Sequence, residues 1–381
     1  MPRTRALLAL PLVLGLALFA CNGGGGPPPT ATPPATIAAN STPVPTSTLA
    51  VAIPDTPPSL GIELPEGFTA FVVAEGFATP TGVFRGPDGH IYVTQLDGEV
   101  FRLEDADGDG VFENIVEYFL DGDGLSGAAF GPDGGLYLSS RGRVTVVRDT
   151  DGDTLGDSSE TIVSGLPNGN HQNNSLVFGP DGLLYITLGS TCNECDERDE
   201  RSATILQANP DGSDVRIYAR GLRNSYDILF DPQGRLWATD NGSDPPCNTT
   251  DELNLVEEGG DYGWPYAPGC DNFSDGVPPV GDLGFNTAST GLAYYDSGHF
   301  PLQYQGNIFI TLWGGFDFAP DPGGRTLVRA IIAETPVGPE ARVEEFATGF
   351  TNPIDVIVDE DGTLLVLDFG AGKLYRIVHT P

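Results

Sequence analysis

The chain has 381 residues and a net charge of −35, because 53 acidic side chains stand against only 18 basic ones. Nucleic-acid binding needs a cationic surface that neutralises phosphates, so this charge argues against it. An anionic membrane surface would also repel the protein, which leaves a covalent lipid as the expected means of membrane attachment.

The N-terminus has the pattern of an export signal. Two arginines in the first five residues precede an uncharged apolar run that ends in Leu-Phe-Ala-Cys21. The run is too short for a membrane span, and its end resembles a lipobox, after which lipoproteins are cleaved and acylated on the cysteine. We therefore interpret residues 1–21 as a lipoprotein signal and expect a cell-envelope protein, periplasmic or extracellular, anchored through Cys21. A plain signal peptide with an unrelated cysteine is the alternative.

The next segment, 22–60, consists almost entirely of Gly, Pro, Thr, Ala and Ser. Such a composition cannot bury enough apolar surface to offset the entropy of ordering, so we expect a disordered linker. Residues 61–381 remain for one folded domain, a length that large all-β folds reach.

A strand–turn–strand phrase, best seen as GPDG followed by apolar residues, occurs six times in this domain. In its turn, proline fixes φ and glycine supplies a positive φ. The intervals between the turn glycines are 45, 48, 52, 72 and 56 residues, a spacing typical of propeller blades. The turn glycines are Gly89, Gly134, Gly182, Gly234, Gly306 and Gly362.

The two ends of the domain complement each other. The last repeat supplies only three strands, and segment 68–77 resembles the outer strand of the fifth repeat. We expect this segment to provide the missing fourth strand and so to remove an open edge. The predicted fold is an all-β, six-bladed β-propeller closed by its N- and C-terminal strands.

Four cysteines follow Cys21, and in an exported protein they are expected to form disulfide bonds. We favour the pairs Cys192–Cys195 and Cys247–Cys270, since each pair lies within one loop region. A four-cysteine zinc site would need a shorter gap in the second pair. A redox-active CxxC motif would need a thioredoxin-like βαβ context, which this sequence lacks.

Two acidic loops have EF-hand-like spacing, in which oxygen ligands converge on a calcium ion. The second loop has Thr154 where the first has the sharp-turn glycine, Gly110. Solvated acidic turns without a metal are the alternative for both. The candidate ligands are Asp105, Asp107, Asp109 and Glu113 in the first loop and Asp149, Asp151, Asp153, Asp157 and Glu160 in the second.

Three polar segments depart from the repeat. They are HQNNSLV from His171, GLRN with Arg223 and Asn224, and DELNL from Asp251 with YGWP from Tyr262. With these motifs, residues 62–378 resemble the soluble pyrroloquinoline-quinone (PQQ) glucose dehydrogenases and, more closely, the sorbosone-dehydrogenase-like proteins of the same superfamily.

This resemblance implies a function and a set of site residues. It implies PQQ-dependent oxidation of a sugar, an external electron acceptor, and calcium beside the cofactor. The catalytic base would be His171, and the quinone would be bound by Arg223, Asn224 and, by a looser match, Arg325. Calcium ligands would be the carbonyl groups of Gly242 and Ser243, with Glu252 and the Tyr262 backbone.

The sequence also departs from the glucose enzymes. Their quinone-binding lysine has no match, since the only lysine is Lys373, and Asn170 replaces the acidic residue before the catalytic histidine. Two other functions stay open because propellers serve many. One is a non-catalytic, calcium-binding surface module, and the other is a lactonase-like calcium hydrolase. A cluster of His171, Arg223 and Asn224 would favour the quinone enzyme.

Overall fold

The computed structural model describes residues 60–122, 124–244, 249–265, 276–315 and 323–380. The predicted signal segment with Cys21, all but the last residue of the predicted linker, Cys247 and Cys270 lie outside these ranges. Within them, regular structure is β apart from a single 3-10 turn, Leu302–Tyr304. None of the described segments contains a helix long and apolar enough to cross a membrane.

Twenty-four strands of the described chain form six antiparallel, four-stranded sheets. The first strand, β1 (Phe68–Glu75), belongs to the sixth sheet. Blade 1 contains β2 (Pro80–Arg85), β3 (Ile91–Gln95), β4 (Glu99–Glu104) and β5 (Asn114–Leu120). Blade 2 contains β6 (Gly127–Phe130), β7 (Leu136–Ser140), β8 (Arg143–Arg148) and β9 (Ser158–Ser164). Blade 3 contains β10 (Asn173–Phe178), β11 (Leu184–Leu188), β12 (Thr204–Ala208) and β13 (Arg216–Arg220).

The second half of the domain repeats this order. Blade 4 contains β14 (Ile228–Phe230), β15 (Leu236–Asp240), β16 (Thr250–Val256) and β17 (Gly281–Phe285). Blade 5 contains β18 (Ser289–Tyr295), β19 (Asn307–Leu312), β20 (Thr326–Thr335) and β21 (Gly338–Ala347). Blade 6 contains β22 (Pro353–Val358), β23 (Leu364–Asp368) and β24 (Lys373–His379), and β1 is its outer strand.

The blades form a closed ring. The first strand of each blade contacts the first strands of both neighbours, blade 6 meeting blade 1 through β22 and β2. Strand β1 pairs with β24 from Phe68 opposite His379 to Glu75 opposite Lys373. The predicted six-bladed propeller and its closure by the two terminal strands are confirmed.

Six hydrophobic clusters hold the ring together, one between each pair of adjacent blades. The second strand of every blade is buried along its whole length. Its apolar–polar alternation therefore does not mark a solvent face. The polar residues on these strands, such as Thr94, Thr187 and Thr311, are fully buried because a neighbouring blade covers each face of the sheet.

The turn that joins the first two strands of a blade is stabilised by its own aspartate. In the first three blades the carboxylate accepts a hydrogen bond from a tyrosine hydroxyl four residues later, at 2.9 to 3.3 Å. It also accepts one from the amide two residues later, at 3.0 to 3.2 Å. The pairs are Asp88–Tyr92, Asp133–Tyr137 and Asp181–Tyr185.

An antiparallel meander sorts the connections onto two faces of the propeller. We define the lower face as the one that carries two kinds of connection within a blade: the turn between its first and second strands and the loop between its third and fourth strands. The upper face carries the loops between second and third strands and the connections between blades. His171, Arg223, Asn224, Gly242 and Ser243 therefore belong to the upper face, and both acidic loops to the lower face.

Candidate active site and cation sites

A cavity of about 480 Å³ opens on the upper face around the propeller axis. Its volume falls in the range of about 300–1,000 Å³ that is usual for small-molecule sites. Blades 3 to 6 supply its walls. It is lined by Asn170, His171, Arg223, Asn224, Tyr226, Asn241, Gly242, Asp244, Asp251, Asn286, Ala288, Thr290, Trp313, Gly315 and Ile354.

His171 lies in the connection from β9 to β10 and is held by Ser190. Its Nδ1 is 2.9 Å from Ser190 Oγ and 3.2 Å from the Ser190 carbonyl oxygen. A carbonyl oxygen can only accept a hydrogen bond, and the Ser190 hydroxyl already donates to the Cys192 carbonyl at 2.8 Å. Nδ1 must therefore be the protonated nitrogen, which leaves the Nε2 lone pair as the basic atom.

The charge state of His171 suits a base. Burial, followed by the positive charge of Arg223, lowers the pKa of His171 from 6.5 to about 4. The imidazole is therefore neutral at pH 7 and able to accept a proton.

Gly189 and Ser190 join the histidine to the Arg-Asn pair. The Ser190 amide donates to the Arg223 carbonyl at 2.7 Å. A Cβ at Gly189 would lie 2.5 Å from His171 Cβ and 2.8 Å from Asn224 Oδ1. The absence of a side chain at Gly189 thus lets His171 and Asn224 approach each other.

Asn224 is fixed at both ends. Its backbone amide donates to Asp240 at 2.6 Å, and its Oδ1 accepts from Asn174 Nδ2 at 2.9 Å. The carboxamide orientation leaves the Asn224 amino group as a hydrogen-bond donor beside the cavity.

Arg223 is 4% exposed and makes four hydrogen bonds from its guanidinium. Nε and Nη2 donate to the carbonyl and Oδ1 of Asn193, at 3.2 and 2.7 Å. Nη1 donates to the Asn241 carbonyl at 3.1 Å, and Nη2 also reaches Asp244 at 3.2 Å. Four of its five N–H groups are thus directed at protein acceptors. Arg223 therefore gives the cavity a positive charge at a fixed position, and it does not have two free N–H groups for a bidentate contact with a ligand.

A second, smaller cavity of about 60 Å³ adjoins the first, with Arg223 and Gly242 in the walls of both. It brings together all four residues that the resemblance assigned to calcium: Gly242, Ser243, Glu252 and Tyr262. Tyr262 reaches it because segment 259–264 runs beside β13, with the Tyr262 amide donating to the Arg220 carbonyl at 2.9 Å.

The donor set of this smaller cavity fits a hard cation. A Cβ on Gly242 would collide with the carbonyl oxygens of Thr249 and Thr250, so main-chain oxygens crowd this point. Burial and the nearby charge of Asp240 raise the pKa of Glu252 to about 8. Burial likewise raises the pKa of Asp240 to about 7 and that of Asp251 to about 6. Carbonyl and carboxylate oxygens are the ligands that calcium takes in proteins.

Tyr226 forms the floor of the large cavity. It belongs to blade 4, and its hydroxyl donates to the Thr81 carbonyl of the opposite blade 1 at 3.0 Å. The side chain therefore crosses the propeller axis. Two buried carboxyl groups follow along the channel: Asp227 accepts from the Leu292 amide at 3.0 Å, and Asp355 accepts from the Val83 amide at 2.7 Å. Burial raises the pKa of both.

Two cationic residues lie away from these cavities. Arg325 is exposed at the start of β20, next to Gly314, and does not line either cavity in the described chain. Lys373 pairs with Glu75 at 3.3 Å across the closing strands of blade 6. Arg223, in contrast, lines the large cavity together with His171 and lowers its pKa.

The two acidic loops of the lower face share one backbone conformation. The first aspartate accepts from the amides three and five residues later: Asp105 from Gly108 and Gly110, at 2.7 and 2.8 Å, and Asp149 from Gly152 and Thr154, at 2.7 and 2.9 Å. Thr154 has φ 72°, close to the 87° of Gly110. Arg102 donates to its carbonyl and hydroxyl, at 2.6 and 2.9 Å.

The carboxylates converge to different extents in the two loops. Ligand atoms within 4.8 Å of one another come from Asp105, Asp107, Asp109 and Glu113 in the first loop and from Asp149, Asp151 and Asp153 in the second. Asp157 is not among them; it accepts from the Thr150 amide and hydroxyl, at 3.0 and 2.8 Å, whereas Glu113 accepts from the Ala106 amide at 2.8 Å and still converges. Glu160 is exposed on β9.

Sequence reasoning missed several residues of the site. Cys192 and Cys195 form the predicted disulfide bond, but nothing in the repeat pattern indicated that Asn193 between them contacts Arg223. Ser190, Tyr226 and Asp240 were missed as well. The available signal was their position near motifs already singled out, since Tyr226 lies two residues after GLRN and Asp240 ends a second strand.

Residues 77–376 match the family model for glucose/sorbosone dehydrogenases. The chain belongs to the glucose/sorbosone dehydrogenase family.

Relatives of this glucose/sorbosone dehydrogenase family member include named enzymes. The quinoprotein glucose dehydrogenase B of Acinetobacter calcoaceticus is 28% identical over 274 residues, which cover 57% of this chain and 56% of that protein. The aldose sugar dehydrogenase of Escherichia coli is 29% identical over 174 residues, 38% of this chain and 46% of that protein. The chain thus spans about half the length of these two relatives.

Solved structures share the family fold. The PQQ domain of pyranose dehydrogenase from Coprinopsis cinerea superposes with a TM-score of 0.71 at 17% identity, covering 85% of this chain and 98% of that one. The PQQ-bound aldose sugar dehydrogenase from Streptomyces coelicolor gives 0.64 at 22% identity, covering 83% and 99%.

Proposed function

We propose that the protein oxidises a hydroxyl group of an aldose, sorbosone or a related sugar, with PQQ as cofactor and calcium beside it. The observation that carries this proposal is the convergence of His171, Arg223 and Asn224 on one cavity of about 480 Å³. Family relatives named as quinoprotein and aldose sugar dehydrogenases support the same reaction class.

His171 would act as the general base. Its neutral imidazole donates Nδ1–H to Ser190, so Nε2 is the atom that accepts the proton of the sugar hydroxyl. Ser190 keeps the ring in this tautomer, and Arg223 disfavours a proton on the free imidazole. Proton transfer to a positioned base contributes about 10²–10⁴-fold to a rate.

The cavity wall would hold the cofactor. Arg223 supplies positive charge for an anionic ligand, Asn224 an amide donor, and Trp313 and Tyr226 aromatic surface. PQQ, when bound, supplies the two-electron acceptor for the substrate's hydride. Arg325 stays a prediction for cofactor binding, and it would have to reach the cavity from its exposed position.

Calcium would bind in the smaller cavity, to the carbonyl oxygens of Gly242 and Ser243 with Glu252 and the Tyr262 backbone. The crowded oxygens beside Gly242 and the buried carboxyl of Glu252 support this assignment. Calcium sites in the two lower-face loops would be separate and would stabilise the fold.

The large cavity separates the candidate functions. A non-catalytic module explains the fold and the acidic loops but gives no reason for a neutral histidine tied to a buried arginine. A lactonase-like hydrolase would use a carboxylate-lined channel around one metal, and His171 and Asn224 have no evident part in it. The quinone dehydrogenase accounts for all three residues.

We further propose that lipid on Cys21 anchors the exported protein to a cell-envelope membrane. The lipobox-like sequence supports this proposal. Cys21→Ser should move the mature protein from the membrane to the soluble fraction. A mature N-terminus mapped well away from Cys21 would overturn it.

Titration with PQQ tests the main proposal. Purified, calcium-loaded protein is titrated with PQQ while absorbance is followed, and dye-linked oxidation of a broad sugar panel is then measured. We expect saturable binding and oxidation of at least one aldose or related sugar. If PQQ neither binds nor supports oxidation of any sugar with calcium present, the non-catalytic module becomes the better explanation.

A further inference from the structure

The upper face contains a short disulfide loop, Cys192 to Cys195, that none of the assigned roles uses. Asn193 lies inside it and is surrounded by site residues. Its Oδ1 accepts from Arg223 Nη2 at 2.7 Å and from the Asp244 amide at 3.0 Å. Its carbonyl accepts from Arg223 Nε at 3.2 Å and from the Trp264 indole at 3.3 Å.

Asn193 therefore ties together three upper-face segments of blades 3 and 4. Arg223 precedes β14, Asp244 follows β15, and Trp264 belongs to the segment that runs beside β13. The side-chain nitrogen of Asn193, Nδ2, also donates to the Asp244 carbonyl at 3.3 Å. Two of the four guanidinium hydrogen bonds of Arg223 end on this one residue, so its position sets the direction of the Arg223 charge.

The disulfide bond restrains Asn193. Only two residues separate the bonded cysteines, so the loop has little freedom while the bond is intact. Next to it, Glu197 accepts from the Thr191 amide at 2.6 Å and from its hydroxyl. The same loop reaches the histidine, because Ser190 Oγ donates to the Cys192 carbonyl and accepts from His171 Nδ1.

We propose that Asn193, held by the Cys192–Cys195 disulfide bond, is a positioning residue that aims Arg223 at the cofactor cavity, and that the same loop fixes the tautomer of His171. This inference rests on the proposed function for its catalytic meaning. Its structural part, the dependence of the three contacted segments on Asn193, stands independently of any cofactor.

The central variants are Asn193→Ala, which removes the acceptor, and Asn193→Asp, which retains it. Cys192→Ser with Cys195→Ser removes the bond. Asn168→Ala is the matched control, because Asn168 is an upper-face asparagine whose amide reaches only the Leu166 carbonyl, at 3.5 Å.

The first readout is PQQ affinity measured with calcium present. Asn193→Ala removes the Oδ1 that accepts from Arg223 Nη2 but keeps the backbone carbonyl that accepts from Nε, and losing this one hydrogen bond to a charged group should weaken binding by about 10-fold or more. Asn193→Asp keeps the acceptor but adds a negative charge beside Arg223, so it should weaken PQQ binding while the Asp244 amide exchanges as in wild type. The defect of Asn193→Ala should appear mainly as a lowered kcat/KM for PQQ. At saturating PQQ, its kcat should return closer to the wild-type value. The disulfide double variant should follow Asn193→Ala, and Asn168→Ala should match wild type.

The second readout is amide hydrogen exchange of the protein without PQQ. The Ser190 and Asp244 amides donate to Arg223 and Asn193, so both should exchange faster in Asn193→Ala and in the disulfide variant. Unchanged exchange and unchanged PQQ affinity in Asn193→Ala would overturn the inference. Failure of wild type to bind PQQ would instead refute the proposed function, and exchange would still decide the positioning role. Lost affinity with a lowered melting temperature and uniformly faster exchange would show a general structural role and count against it.

Discussion

The two faces of this propeller are made by the same strands but by different kinds of contact. On the lower face, the turn between the first two strands is held by local hydrogen bonds, as in the turn of Asp88, which bonds residues two and four positions later. On the upper face they join distant segments: His171 to Ser190, Arg223 to Asn193, and Tyr226 to Thr81. Local turns can repeat from blade to blade, whereas a site needs residues that differ between blades.

The comparison also separates stability from chemistry. Lower-face loops reach the preceding blade, since the Phe112 amide donates to the Val73 carbonyl at 2.8 Å and the Gly156 amide to the Tyr118 carbonyl at 3.0 Å. They stabilise blade contacts. Upper-face loops gather one neutral histidine, His171, and one buried arginine, Arg223, around a single cavity. Substitutions on the two faces should therefore have different consequences.

The largest expected effect is on the upper face. His171→Ala removes the proposed base and should lower kcat of dye-linked sugar oxidation by about 10²–10⁴-fold, with little change in PQQ affinity. His90→Ala is the matched control, because His90 bonds only its own turn aspartate at 3.0 Å on the lower face. Equal activity of His171→Ala and wild type would remove His171 from the mechanism.

The pH profile gives the next effect. Because His171 has a pKa of about 4, it is protonated only in strong acid, and kcat/KM should fall only as the pH approaches that value. Arg223→Gln removes a positive charge, so the pKa of His171 should rise and the acid limb should move to higher pH, staying below 6.5 because burial is the larger cause. Profiles are measured at saturating PQQ. Arg143→Gln, which breaks a pair with Asp121 at 2.8 Å, should leave the limb in place.

Calcium removal should act mainly through the lower face. An ion bound only by the native state stabilises it by mass action, so chelation should lower Tm by on the order of several °C. Asp105→Ala should abolish more of this calcium-dependent shift than Asp149→Ala, since four carboxylates converge in the first loop and three in the second. If neither chelation nor Asp105→Ala changes Tm, the loops are plain acidic turns without bound calcium.

The smallest effect concerns the two matching turns. Thr154 has a positive φ that glycine adopts freely, so Thr154→Gly should change the unfolding free energy by no more than about 1 kcal/mol, the relief being offset by the lost hydroxyl bond to Arg102. Gly110→Ala places a side chain at φ 87° and should destabilise. Chemical denaturation of both variants measures the difference, and a strongly destabilised Thr154→Gly would show that the hydroxyl bond dominates.

The fold could be predicted from sequence because its signals are local. A Pro-Asp-Gly turn is specified by consecutive residues. The strand missing from the last repeat indicated how β1 closes the ring. The alternation in the second strands was less informative, since Thr94 and Thr187 are buried like their apolar neighbours. Local patterns do not report how many faces of a sheet are covered.

The site could be predicted only in part. His171, Arg223 and Asn224 were found through motifs, and the structure brings them to one cavity. Contacts between distant segments gave no signal: Asn193 reaches Arg223 across 30 residues, and Tyr226 reaches Thr81 across 145. The Cys247–Cys270 pairing lies outside the described residues and stays a prediction.

Tyr226 has a consequence for traffic through the molecule. Because its side chain crosses the axis to Thr81, the large cavity is a well with its floor at the middle of the ring. Sugar, oxidised product and electron acceptor would then all enter or leave through the upper opening of the cavity, one after another. Such an enzyme would follow a ping-pong order, and high concentrations of sugar would slow it by occupying the entrance that the acceptor needs.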